Sequence, residues 1–205
     1  MHINIFEQNQ LDLLPFIKKY KKNYYMVGGT AIALIIGHRR SIDFDMFTFG
    51  KINVTYLKKQ VSESKFSSSV IHALPDQIHF IINNVKLTFF EYPFFIDASA
   101  DVNGIFKMPN LLTLAAMKAF ALGGRGKWKD YVDLYFIIKD FYNPQQISDK
   151  AKELFTDVFN PTLFRKQLCY FKDINYTEQV EYMPGFEVPE DEIKAFLIEA
   201  SLTGF

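Results

Sequence analysis

The segment from Tyr24 to Phe47 limits the possible folds of this chain more than any other. Tyr24 to Val27 is short and apolar, as in a strand, and Gly28-Gly29-Thr30 follows it directly. Ala31 to Ile36 is an apolar run that Gly37 can end as a C-cap, so a helix is predicted there. The sequence therefore predicts a strand, a glycine turn and a helix in succession.

A second strand is predicted soon after this helix. From Ser41 to Phe47 apolar and polar residues alternate. One face carries the apolar side chains of Ile42, Phe44 and Met46, and the other carries two aspartates. Such alternation is typical of a half-buried strand. The two aspartates, at i and i+2, would project to the same side with Cα atoms about 7 Å apart.

The remaining patterns indicate an α/β (α+β) fold, with a small mixed sheet followed by a helical half. Gln77–Ile82 and Val85–Tyr92 are predicted strands joined by the turn-prone pair Asn83-Asn84, and Ser62–Ser69 is predicted to be a surface loop. The predicted helices are Leu11–Tyr20, Leu111–Leu122, Lys129–Phe141 and residues 148–158, 162–171 and 190–201. We therefore expect a core over residues 1–107 and a helical region over residues 108–205 that completes an active-site cleft.

Composition excludes several classes of protein. The chain of 205 residues has 23 Lys and Arg against 23 Asp and Glu, so it is not a polycation that binds nucleic acid by net charge. Its single cysteine cannot form an internal disulfide, and its four histidines show no zinc spacing. No apolar run approaches the ~20 residues that a bilayer requires, and no signal peptide is evident. We expect a cytoplasmic protein without a membrane partner.

The glycine turn and the paired carboxylates together suggest chemistry on a nucleotide. Asp43 and Asp45 could bind one or two Mg²⁺ or Mn²⁺ ions, which prefer oxygen ligands. Gly28 and Gly29 would let backbone N–H groups approach a triphosphate at the helix N-terminus, and Thr30 would add a hydroxyl donor. Considered separately, the glycines could simply form a tight turn, and the aspartates could simply lie on the solvent-exposed face of an edge strand. Their joint spacing favours the nucleotide site.

This arrangement resembles the polymerase-β-type nucleotidyltransferase signature, and more specifically the AbiEii-type toxin nucleotidyltransferases. The matching residues are Val27 to Ala31 and His38 to Phe47. A second block matches the family's later motifs, with Leu114 to Ala121, then Arg125, then Lys129 to Leu134. The resemblance covers roughly residues 24 to 140.

The resemblance implies roles for individual residues. Asp43 and Asp45 would bind the metal ions, and Gly28, Gly29 and Thr30 would contact the phosphates of the nucleoside triphosphate (NTP). Lys118 and Arg125 would neutralise charge near the triphosphate or the acceptor. A catalytic role is implied for Asp133, although Asp133 and its neighbour Asp130 could instead form ion pairs with Lys127 or Lys129. Arg39 and Arg40 could bind triphosphate or polynucleotide, or could be ordinary solvated arginines.

The chain departs from the family at one position. The family often has a third carboxylate, in a Lys-x-Asp context, that binds metal and acts as base for the attacking hydroxyl. Here Lys86 is followed two residues later by Thr88, and a hydroxyl cannot replace a carboxylate in either role. The other candidates for the third carboxylate are Glu91, Asp97 and Asp133.

The implied function is Mg²⁺-dependent transfer of a nucleoside monophosphate (NMP) from an NTP to a hydroxyl, with release of pyrophosphate. The acceptor could be an RNA 3′ end, such as that of tRNA, or a protein side chain. The resemblance further implies the toxin of a bacterial toxin–antitoxin or phage-defence pair, with a separately encoded antitoxin. Two alternatives stay open. One is a nucleotide-binding pseudoenzyme or interaction module that lacks the third carboxylate, and the other is a nucleotidyltransferase for a small molecule such as an antibiotic.

Overall fold

The computed structural model describes residues 1–124 and 126–202, so Arg125 lies outside the described residues. The chain divides into two compact units. One, here called the sheet unit, contains residues 3–31 and 41–109, and the other, the helical unit, contains residues 1–2, 32–40 and those from 110 onward.

The sheet unit is built on one mixed sheet of seven strands in the order β3-β4-β5-β2-β1-β7-β6. The strands are β1 (Tyr25–Val27), β2 (Phe44–Thr48), β3 (Ser68–Leu74), β4 (Gln77–Ile82), β5 (Val85–Glu91), β6 (Ala100–Val102) and β7 (Phe106–Met108). The β2–β5 and β1–β7 pairs are parallel, and the other pairs are antiparallel. The α/β (α+β) fold class predicted from the sequence is confirmed.

The α-helices are distributed over both units. They are α1 (Gln8–Ile17), α2 (Gly28–Ile36), α3 (Val54–Ser62), α4 (Leu111–Leu122), α5 (Trp128–Asp140), α6 (Pro144–Phe155), α7 (Pro161–Leu168) and α8 (Glu190–Leu202). In the helical unit α4 packs against α5, α6 and α7, and α5 and α7 also pack against α8. Among the described residues, no helix is both long enough and apolar enough to cross a bilayer.

The predicted strand and helix form, but the glycines are the first residues of the helix and not a separate turn. Helix α2 follows β1 without a gap and ends at Gly37, whose φ is +81° and whose N–H donates to the Ala33 carbonyl at 2.7 Å. The hairpin is also confirmed, with Asn83 and Asn84 at φ values of +52° and +63°. Both central residues therefore have the positive φ that a tight two-residue hairpin turn requires.

The second strand differs from the prediction at its start. Strand β2 begins at Phe44 rather than Ser41, and Phe44 and Met46 are fully buried as expected. Ile42 was expected on the same apolar face, but it is 52% exposed. The alternation fails there because Ile42 lies in the loop before the strand, where side chains do not follow the two-residue period.

Candidate functional site

The first group of predicted site residues lies where β1 passes into α2. Gly28 has a φ of +75°, which L side chains rarely adopt, and a Cβ at this position would lie 2.5 Å from Asp45 Oδ2. Val27, the residue before it, is paired with Asp45 across the antiparallel β1–β2 ladder. The glycine therefore leaves the space that the Asp45 carboxylate occupies beside the first turn of α2.

Thr30 links the first turn of α2 to the loop before β2. Its side chain is buried, its hydroxyl donates to the Asp43 carbonyl, and it lies 2.8 Å from the Ser41 hydroxyl. The Ser41 carbonyl in turn accepts from the Gln10 side chain at 2.8 Å. Because the hydroxyl proton of Thr30 is directed at a backbone carbonyl, the observed contacts of Thr30 hold the loop that carries Asp43. Its contact with phosphate stays a prediction.

The two predicted metal ligands occupy different local structures. Asp45 is within β2, Asp43 is in the loop immediately before it, and both are partly exposed. Among the described residues, no group of three or more Asp, Glu, His or Cys side chains is placed to hold a metal ion. Mg²⁺ is commonly bound by one or two carboxylates together with substrate phosphates and water. The space that Gly28 leaves for the Asp45 carboxylate, beside a helix N-terminus that favours phosphate, fits such a shared site.

Thr88 is the residue at which the resemblance implies a third carboxylate. The parallel β2–β5 ladder places Thr88 directly opposite Asp45, so the side chains of the two residues project from the same face of the sheet. Glu91 is opposite Thr48 instead, and its carboxylate pairs with Lys51 at 2.5 Å. Asp97 is exposed in the segment after β5.

Thr88 is itself in contact with a histidine. His79 Nδ1 lies 3.1 Å from Thr88 Oγ1, and the β4–β5 ladder pairs the two residues directly. From the sequence, His79 was expected to have a structural or surface role rather than to bind a metal. The alternation within Gln77–Ile82 was a usable signal, since it places His79 on the polar face of the predicted strand.

A second group of predicted residues forms a buried ionic cluster in the helical unit. Asp133 is fully buried, and Arg39 and Lys118 are 2% and 6% exposed. Arg39 donates to the two Asp133 carboxylate oxygens from Nε at 2.7 Å and from Nη2 at 2.9 Å. Lys118 Nζ is 2.7 Å from Asp130 Oδ1 and 2.9 Å from Asp133 Oδ2. His38 Nε2 lies 2.8 Å from Asp133 Oδ1.

The charges of this cluster stabilise one another. Burial would raise the pKa of Asp133, but the charges of Arg39 and Lys118, together with hydrogen bonds from His38 and Arg39, hold that pKa well below its ordinary value. Burial would likewise lower the pKa of Lys118, and the two carboxylates raise it instead. Burial lowers the pKa of His38, so its imidazole is neutral and donates from Nε2 to Asp133.

The cluster corrects one of the two alternatives considered for Arg39. This residue is not a solvated surface arginine, because its guanidinium is enclosed and also donates from Nη1 to the Arg40 carbonyl at 2.9 Å. The burial was missed because Arg39 and Asp133 are 94 residues apart in the chain. Local periodicity carries no information on such a pair.

Three basic residues of the helical unit are paired with acids. Lys127 bonds to Glu178, and Lys129 Nζ lies 3.5 Å from the same carboxylate. Arg40 pairs with Glu181 at 2.7 Å. The segment that carries these two glutamates was assigned no role from the sequence, and its two carboxylates offset the positive charge of the three basic residues.

The described architecture is that of a nucleotidyltransferase fold. The chain is similar to a crystal structure from H. pylori described provisionally as a nucleotidyltransferase, with 13% identity, a TM-score of 0.58, and coverage of 96% of this chain and 95% of that one. It is similar to JHP933 from Helicobacter pylori, with 14% identity, a TM-score of 0.59, and coverage of 96% and 91%.

A third structure with this fold is MenT4, a nucleotidyltransferase toxin from Mycobacterium tuberculosis H37Rv. The identity is 12%, the TM-score is 0.59, and the coverage is 94% of this chain and 82% of that one. In sequence, the chain is 29% identical over 177 residues to an uncharacterized protein of Aquifex aeolicus (strain VF5), covering 84% of this chain and 85% of that protein. No protein-family model matches the chain.

Proposed function

We propose that this protein transfers an NMP from an NTP to a hydroxyl acceptor in the cytoplasm, with Mg²⁺ or Mn²⁺ as cofactor. The observation that carries the proposal is the Asp45 carboxylate in the space left by Gly28, at the start of α2. The first backbone N–H groups of a helix have no partner within the helix and favour anions. A triphosphate held there would lie beside a carboxylate suited to share a divalent ion with it.

Asp43 and Asp45 are the residues that would hold the metal. When bound, the ion would stabilise negative charge on the phosphate oxygens as the bond to pyrophosphate breaks. Gly28 and Gly29 would admit the phosphates to the backbone, and Thr30 would keep the Asp43 loop in place through its bond to the Asp43 carbonyl.

Lys118, Asp133 and Arg39 are proposed to hold the helical unit together rather than to touch the reacting atoms. All three are at least 94% buried, and each is already engaged by opposite charge within the cluster. Arg125, which lies outside the described residues, is kept as a proposed triphosphate contact.

The proposed acceptor is the 3′ end of an RNA such as tRNA, and the proposed biological role is that of an AbiEii-type toxin with a separate antitoxin, active in phage defence. The resemblance of residues 24 to 140 to that family and the fold shared with the toxin MenT4 support this role. The acids beside Lys127, Lys129 and Arg40 favour an acceptor that binds transiently over one held by a broad basic surface.

One observation favours a second candidate, a nucleotide-binding protein without transferase activity. Thr88 stands opposite Asp45, where a carboxylate would serve as base and metal ligand. In this candidate Gly28, Gly29 and the two aspartates would still bind an NTP, and no product would form.

The test is incubation with Mg²⁺ or Mn²⁺, each α-labelled NTP in turn, and total bacterial tRNA. The variant is Asp43→Asn/Asp45→Asn, and the matched control is Asp149→Asn, at an exposed position on α6. Label on RNA or protein with the parent and the control, but not with the double variant, would support the transferase. NTP binding by calorimetry without label from the parent would support the second candidate instead.

A further inference from the structure

Four polar side chains form a row across neighbouring strands of the sheet. The β2–β5 ladder pairs Asp45 with Thr88, the β4–β5 ladder pairs Thr88 with His79, and the β3–β4 ladder pairs His79 with His72. Directly paired residues project from the same face, so all four side chains share one face of the sheet. The buried apolar residues of these strands, such as Phe44 and Phe80, occupy the opposite face.

The contacts of His79 determine which of its nitrogens carries the proton. Its Nε2 lies 3.2 Å from Gln77 Oε1, which can only accept a hydrogen bond, so Nε2 is the protonated nitrogen. Its Nδ1, 3.1 Å from Thr88 Oγ1, is then an acceptor, and the Thr88 hydroxyl donates to it. The oxygen of Thr88 therefore keeps its lone pairs for another donor.

The charges around His79 keep its imidazole neutral. Partial burial lowers the pKa of His79, and the Lys86 ammonium on β5 and His72 on β3 lower it further, against an opposing contribution from Asp45 on β2. A neutral imidazole can receive a proton at Nδ1, and a protonated one cannot. Thr88 thus lies between Asp45 and a histidine, His79, whose Nδ1 can accept a proton.

We propose that Thr88 and His79 together take the proton of the attacking hydroxyl, in place of the carboxylate that this chain lacks at position 88. This inference rests on the proposed transferase function. As the acceptor oxygen bonds to the α-phosphorus and the bond to pyrophosphate breaks, the acceptor proton passes to Thr88 Oγ1. The proton of Thr88 passes to His79 Nδ1, and the imidazolium later releases one proton to water. The products are the NMP-modified acceptor, pyrophosphate and that proton.

The first test is His79→Asn, because an Asn amide can keep a hydrogen bond to Thr88 but cannot accept a proton. Transfer of labelled NMP to RNA in the tRNA assay should slow by about 10²- to 10⁴-fold, the usual contribution of general acid–base catalysis. NTP affinity, measured by calorimetry, should stay within twofold of the parent. The matched control is His2→Asn, which changes an exposed histidine outside the row and should leave the transfer rate within twofold.

The decisive variant restores the carboxylate. Thr88→Asp in the His79→Asn background should recover at least tenfold in transfer rate, because the new carboxylate is opposite Asp45 and can accept the proton without the imidazole. If His79 had only a structural role, a carboxylate at position 88 would not restore the transfer rate lost in His79→Asn. A readout independent of turnover is ¹⁵N NMR of His79 in the Thr88→Val variant, where the Nδ1 resonance should lose the shift caused by the Thr88 hydrogen bond.

The outcomes separate the two proposals. Absence of transfer by the parent protein would overturn the transferase function and the relay with it. Transfer by the parent that His79→Asn retains, or that Thr88→Asp does not restore, would overturn the relay alone.

Discussion

Replacing Asp133 with Asn tests the role of the buried ionic cluster. The substitution keeps the shape of the side chain and removes one charge from a group whose described members carry two positive and two negative charges. It leaves Asp130 as the one carboxylate beside Arg39 and Lys118 among these four side chains, in an environment closed to water.

The expected loss follows from the contacts. Asp133 faces two cations with N–O distances of 2.7 and 2.9 Å. At these distances each pair contributes about 6 kcal/mol at an effective dielectric constant of about 20, hence about 12 kcal/mol together. The carboxylate and the two cations also lose their hydration on burial, at several kcal/mol per ion, and this offsets most of the attraction. We therefore expect Asp133→Asn to lower the free energy of unfolding by about 3–5 kcal/mol, the usual result of removing one partner from a buried ion pair.

The assay is equilibrium unfolding in urea followed by circular dichroism, with Asp149→Asn as the control. The control side chain is exposed and bonds to Gln145 on the same helix, so its replacement should change the free energy of unfolding by less than about 0.5 kcal/mol. A loss below about 1 kcal/mol for Asp133→Asn would refute the argument from buried charge. An Asp133→Asn protein of parental stability that cannot transfer label would show instead that Asp133 acts directly in catalysis.

Two further predictions concern Gly28 and acid stability. Gly28→Ala and Gly104→Ala should each lower the free energy of unfolding, measured in urea, by about 1–2 kcal/mol, because both positions have positive φ. Only Gly28→Ala should weaken NTP binding in calorimetry, since Gly104 has open space around it. Equal NTP binding by both variants would contradict the proposed site. On acidification, the free energy of unfolding should first fall below about pH 6.5, because burial lowers the pKa of His38 and the unfolded chain takes up a proton that the folded chain does not; a His38→Gln variant should lose less stability over this range. The free energy of unfolding of the parent protein should fall again below about pH 3.8. The cluster, against the effect of burial, holds the pKa of Asp133 well below that ordinary value, so the unfolded chain takes up a proton there that the folded chain does not. Stability that is flat between pH 7 and pH 5 would contradict the neutral, buried state of His38.

Local sequence signals were sufficient where an element is specified by its own residues. Helix α4 begins and ends at the predicted residues, with Asn110 accepting from the Thr113 N–H as its N-cap. The hairpin turn at Asn83-Asn84 was predictable for the same reason, because asparagine tolerates positive φ and two such residues suit a tight turn. In these segments the conformation that the local sequence favours is the one the structure adopts.

Elements specified by their neighbours were not predicted. Helix α3, strand β3 and the short strands β6 and β7 were missed, and part of β3 was assigned to a surface loop. All seven residues of β3 are exposed, so it has no buried face to impose alternation. Its extended conformation is instead secured by the hydrogen-bonded ladder with β4.

The same division applies to the candidate site. The chain alone determined that two glycines, a helix and two aspartates follow one another, because these features lie within 18 residues, from Gly28 to Asp45. Only the tertiary structure enclosed Arg39 with Asp133 and set His79 beside Thr88 opposite Asp45. Those contacts depend on strand register and helix packing between distant segments, and such energies arise only once the segments meet.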